Sequence, residues 1–158
     1  MSAADEYVLN SRYFGPISFD RRTLFQFSEG LPGFEAERAF APIEIPEQRP
    51  LLYLQSVAQP DLCLITLPVR TIVAEYELSL ASEYLAPLGF GSEETPRIGE
   101  DLLCLAIMTV DENQNMAANL MAPIVVNIRT RRAVQAIQTD SPWSYRHPLA
   151  AGEEIRSC

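Results

Sequence analysis

Six pairs of close carboxylates punctuate the chain: Asp5/Glu6, Glu75/Glu77, Glu93/Glu94, Glu100/Asp101, Asp111/Glu112 and Glu153/Glu154. General acid–base chemistry would need two such groups held across a pocket with separated pKa values. Adjacent acids in polar connections read instead as solvated surface. Their second reading is an acidic face that attracts a basic partner and speeds encounter. Glu75, Glu77, Glu93 and Glu94 are the acids assigned to that face. The single histidine, His147, precedes Pro148 and has no orienting partner nearby in sequence, so a structural or surface role is expected. Cys63 and Cys104 sit inside apolar runs as small hydrophobes, and Cys158 is terminal. No G-x-S-x-G, C-x-x-C or H-x-x-x-H occurs, and the close glycines of GFGSEE (89–94) precede acids that would repel phosphate. No catalytic residue, metal or cofactor is expected.

The stretch with the most unusual chemistry is NLMAPIVVNIRTRRAVQ, residues 119–135. A proline splits an apolar run, asparagines interrupt it, and Arg129, Arg131 and Arg132 follow. A membrane edge, a nucleic-acid contact, an active-site loop and a β-hairpin are the candidates. Strand alternation puts Ile124, Val126 and Ile128 on one face and Val125, Asn127 and Arg129 on the other. The run therefore reads as a hairpin started by Pro123, with Asn127 on its polar face and a loop at residues 129–132. The arginines lack interleaved aromatics for base stacking. A charged turn that blunts a hairpin edge is the simplest account, and Asn119, Asn127, Arg129, Arg131 and Arg132 are candidate partner contacts.

The elements that would position these groups are mostly strands. Short apolar runs recur at 7–14, 23–27, 40–45, 51–57, 62–69, 101–110, 123–128 and 133–138, bounded by proline, glycine or polar residues. Tyr76, Leu80 and Tyr84 at helical spacing predict a short helix within 73–90, stopped before Pro87 and Gly89. Residues 111–120 read as a single turn or long loop. The pattern predicts a mainly β, antiparallel, barrel-like single domain over 1–158, with one or two short helices and a frayed tail at 150–158.

A chain of 158 residues buries a sufficient core without staples. A formal charge of −9 disfavours a direct grip on nucleic acid, although all 12 basic residues are arginine. The N-terminus lacks a basic and an apolar signal region, and the run 102–110 is too short to span a bilayer, so a cytoplasmic protein with no membrane contact is expected.

Laid out in this way, the chain resembles the flagellar assembly factor FliW family from about Asn10 to Leu149. SRYFGPISF (11–19) looks like its opening strand and Phe-Gly turn, and FSEGLPGFE (27–35) matches its F-x-x-G-L-P-G-F-E signature. LAPLGF (85–90) lies where the family has Leu-Gly after a short helix, and residues 118–135 match its N-L-x-A-P-[IV]-V-[IV]-N element. Within these motifs Gly30 and Gly33 suit a tight turn, Phe34 an anchor into the core, and Gly89 a left-handed helix stop. The resemblance implies a non-enzymatic barrel, monomeric when free, that binds flagellin and the translational repressor CsrA and switches between them. A small β-barrel enzyme or cofactor-binding protein of unknown substrate is the alternative.

Overall fold

The computed structural model describes residues 6–138 and 142–149. Asp5, Glu153, Glu154, Cys158 and the tail at 150–158 lie outside them. The chain opens with a hairpin, β1 (Glu6–Ser11) and β2 (Gly15–Asp20), paired in register from Glu6–Asp20 to Ser11–Gly15. A meander of antiparallel strands follows: β3 (Phe25–Gln26), β4 (Ala39–Ile43), β5 (Leu52–Ser56), β6 (Cys63–Pro68), β7 (Leu102–Val110) and β8 (Met116–Asn127). The far edge of β8 is covered by β9 (Ala133–Gln135) along its second half and β10 (His147–Pro148) along its first. A bridge between Gln26 and Arg132 brings β3 round to this end, where Gln26 N donates to Arg131 O at 2.9 Å. The sheet is therefore a nearly closed antiparallel barrel.

Period-two alternation gives this sheet two apolar faces rather than one. On β7, Leu105 packs inward with Phe25, Phe27, Phe40, Leu54, Ile124 and Val126. Leu102, Cys104 and Ala106 pack outward, with Leu67, Tyr76, Leu88, Leu120 and Val125. The outer face is covered by the long β6–β7 connection, which carries α1 (Val69–Ile72) and α2 (Leu85–Leu88). Each of these buried Leu, Phe or Tyr side chains stabilises the fold by roughly 1.5–3 kcal/mol.

That connection contains the short helix expected within 73–90 but corrects which residues form it. Tyr76, Leu80 and Tyr84 do not share a helix; α2 spans only Leu85–Leu88, preceded by a single 3-10 turn at Ser82–Tyr84. Tyr76 is instead buried in irregular chain, with its hydroxyl donating to Leu120 O at 2.6 Å. Ser79 N donates to Gln138 Oε1 at 2.7 Å, so sheet contacts outcompete local helix bonds here. Pro87 does not stop α2 but lies within its first turn, where no backbone donor is needed. Gly89 does stop it, at φ +90°.

Two further turns are sharper than expected. In LPGF, Phe34 N donates to Leu31 O at 2.7 Å and Gly33 takes φ +85°, as a Pro-Gly type II turn requires. The anchor is Leu31, 3% exposed, whereas Phe34 is 47% exposed and corrects the expectation that it enters the core. A Cβ at Gly30 would stand 2.4 Å from Glu35 O, which excludes any other residue there. Residues 111–120 divide: Asp111 to Asn115 form the turn and Met116 onward is strand. Asp111 Oδ1 accepts the amides of Asn113 and Asn115 at 2.8 and 2.9 Å.

Candidate functional site: charged clefts around the β8–β9 turn

The expected hairpin is present, but β8 is longer than read and is broken by a bulge. Its register against β7 jumps from Leu105–Ile124 to Ile107–Asn119. Asn119 Oδ1 holds the extra residues, accepting Met121 N at 3.1 Å and Ala122 N at 2.9 Å. The bulge also changes which parity faces out: Ala118 and Leu120 before it, Val125 after it. Asn127 falls on that outward face. It is 2% exposed rather than wet, because α2 covers a face that a single-layer sheet would leave in water. Its Nδ2 donates to Leu88 O at 2.9 Å, and its Oδ1 accepts Arg129 N at 3.0 Å and Thr130 N at 3.4 Å. Both asparagines thus shape backbone through their Oδ1 atoms, and the Asn127 side chain is wholly committed inside the fold.

Around the turn that Asn127 sets, clefts of opposite character open. One of 230 Å³ is lined by Glu94, Glu100, Asp101, Asn127 and Arg129, beside Phe90 and Ile128. Asp101 anchors its floor, accepting Arg97 N through Oδ2 at 3.0 Å and Ile128 N through its carbonyl at 3.0 Å. Glu100 continues into a neighbouring cleft of 390 Å³ that holds Glu77 with Arg70 and Arg97. A third, of 480 Å³, is lined by Arg38, Arg132, Gln26, Phe27, Ser28, Ala86 and Pro87. A fourth, of 370 Å³, lies apart and contains Asn119, Asp111, Tyr145 and Arg146 with Ile107 and Val110.

Of the residues singled out in sequence, the fold brings together Glu94, Asn127 and Arg129, places Glu77 next door and turns Arg132 into the third cleft. Asn119 is in the separate fourth cleft, and Glu75, Glu93 and Arg131 line none of the four. The Arg131 guanidinium lies 5.8 Å above the Phe25 ring, with its backbone at φ +67°. Arg38, Gln26, Glu100 and Asp101 were not singled out as contacts. Glu100 and Asp101 were visible as an acid pair, but Arg38 reaches the turn only through barrel closure, which no local pattern records.

The titratable groups elsewhere look structural. Burial pushes the Cys63 thiol up to about 11 and the Cys104 thiol up to about 12, leaving both protonated and unreactive at neutral pH. Burial likewise raises the Tyr76 hydroxyl, consistent with its role as a donor to Leu120 O. The Asn115 amide holds the Asp111 carboxyl below the usual range. Glu37, 4% exposed, accepts from Ser56 Oγ at 2.7 Å and from Gln59 Nε2, so its burial is satisfied. His147 sits on β10 opposite Ala118.

A nearly closed antiparallel barrel with a second layer over one face and small charged clefts on its surface defines a compact β scaffold. The family model described as FliW protein matches residues 8–149, and the chain belongs to that family. It is 31% identical over 140 residues to the flagellar assembly factor FliW of Syntrophomonas wolfei, covering 88% of this chain and 86% of that protein. It is 33% identical to the flagellar assembly factor FliW of Syntrophotalea carbinolica, covering 87% and 94%, and 32% identical to that of Bacillus velezensis, covering 92% and 98%. A crystal structure of the flagellar assembly factor FliW superposes with a TM-score of 0.79 at 27% identity, covering 93% of this chain and 99% of that one. Among the described residues, no helix is long and apolar enough to cross a membrane.

Proposed function

We propose that this chain is a non-enzymatic flagellar assembly factor of the cytoplasm. It binds flagellin, and when flagellin is scarce it binds and antagonises the translational repressor CsrA. The observation that carries this reading is the match over nearly the whole chain to proteins named as flagellar assembly factors. Partner switching needs only that the two binding equilibria be linked, so that occupancy by one protein lowers the free factor available to the other.

The charge distribution supports the repressor half. A formal charge of −9 steers a basic RNA-binding protein toward this surface. The cleft of Glu94, Glu100 and Asp101 offers three carboxylates against one guanidinium, Arg129. The test is binding of the same cell's flagellin and CsrA, each alone and in competition, by calorimetry. Micromolar or tighter binding of both, with mutual displacement, is expected; binding to neither overturns the reading. CsrA affinity should also fall steeply with salt, and a flat dependence would remove the electrostatic contribution.

A further inference from the structure

In a chain this acidic, the cleft across the barrel seam is an exception. Its charged lining groups are the guanidiniums of Arg38 and Arg132, whereas each of the other three clefts carries at least one carboxylate. Among the described residues neither arginine makes an ion pair. One of them is tethered, and the other lies along a neighbouring turn. Arg38 Nη1 donates to Ser28 O at 2.6 Å, across the turn that Gly30 and Gly33 create. The Arg132 chain lies over Gly89, its Cδ and Nη1 only 3.5 and 3.6 Å from where a Cβ there would stand. Side-chain donors remain unspent on each head, since a guanidinium carries five.

We infer that this cleft is a carboxylate-binding site that takes an acidic side chain of a protein partner. Two guanidiniums lining one cleft can each give a carboxylate charge-assisted hydrogen bonds. Ala86 and Pro87, which keep exposed surface beside them, suit the methylenes that carry such a group, which a hydrated inorganic anion lacks. A nucleic-acid backbone is a poorer occupant, because tracking successive phosphates takes a run of cations and the protein's net charge opposes it.

The position of the site adds a second property. Arg38 precedes β4, Arg132 follows β8, and Pro87 belongs to α2, so an occupant touches three elements at once. Gln26 lines the same cleft and forms the bridge with Arg132 that closes the barrel. Occupancy therefore fastens the seam.

The test uses the full-length, isotope-labelled chain at low ionic strength, titrated with acetyl-Gly-Ala-Glu-Ala-Gly-amide and with the same peptide carrying Gln. With the Glu peptide, saturable shifts are expected at the Arg38 and Arg132 side-chain Nε–H, together with slower exchange of the Gln26 amide. Affinity should be weaker by roughly fivefold or more for the Gln peptide, and for Arg38→Gln or Arg132→Gln with the Glu peptide. Arg38→Lys and Arg132→Lys, which keep charge but lose the fork, should fall between; they serve if a Gln variant fails to fold. Equal response to the Gln peptide overturns the inference, as does uniform movement of all arginine signals. Tighter binding of inorganic phosphate or of an octa-adenylate RNA would reassign the site to phosphate or nucleic acid and overturn it too.

Discussion

Asn119 and Asn127 stand on the same strand and make the same local bonds, each accepting the amides two and three residues ahead. They do different work because of what lies around them. Asn119 is half-buried, its amide nitrogen donates to nothing among the described residues, and it holds a bulge in place. Asn127 is almost wholly buried and its amide nitrogen ties β8 to the carbonyl that ends α2. Asp111 is a charged relative of this device on the β7–β8 turn, accepting the amides two and four residues ahead. One local geometry thus carries very different structural weight, set by whether the second half of the side chain reaches another element.

The largest expected effect comes from Asn127→Ala. It removes three hydrogen bonds and leaves Leu88 O without its donor under a covered face, so urea unfolding should show a loss of about 2–4 kcal/mol. A loss as small as that at Asn119 would break the comparison. Asn→Asp substitutions sharpen it, since aspartate keeps the acceptor and removes the donor. Asn127→Asp should cost about 2–3 kcal/mol, and Asn119→Asp should lie within about 0.5 kcal/mol of the parent at pH 7.

Gly89→Ala tests the carbonyl side of the same tie. Forcing a side chain to φ +90° and toward Arg132 should cost about 1–2 kcal/mol, read as a lowered thermal midpoint. Asn119→Ala follows at about 1 kcal/mol, because water can replace part of what the bulge amides lose. The smallest effect belongs to Asp111. Its carboxyl is held below the usual aspartate value of about 3.9, so the turn is stabilised above that value and loses the benefit as pH falls through the depressed one. The Asn113 and Asn115 amide signals should titrate below pH 3.9, and Asp111→Asn should abolish that titration with only a small drop in midpoint at pH 7.

Much of the scaffold was legible because its signals are local. The short apolar runs along Leu102–Val110 and Cys63–Pro68 read directly as strand, and Gly89 announces its left-handed stop. Asn127 was misread because alternation assigns a residue to a face but cannot say that a second layer covers it. Tyr76, Leu80 and Tyr84 misled for a related reason: helical spacing in an apolar segment also arises when irregular chain is laid across a sheet. Strand β2 was visible only through the family resemblance of residues 11–19, since GPISFD begins with glycine and proline and has few apolar residues. Arg38 could not be assigned to the site because it meets Arg132 only through barrel closure.

That closure has a consequence for the order in which the molecule is made. β3 leaves the ribosome roughly a hundred residues ahead of the turn that receives it, which at ~5–20 residues per second leaves its outer edge unsatisfied for ~5–20 s. An open strand edge of that kind invites pairing with other nascent chains. Here the waiting edge is Phe25–Gln26, two residues long, with Gln26 exposed and Phe25 already turned toward Phe40 on β4. So short a strand is a poor template, and an edge that waits this long to be sealed is among the least adhesive during synthesis.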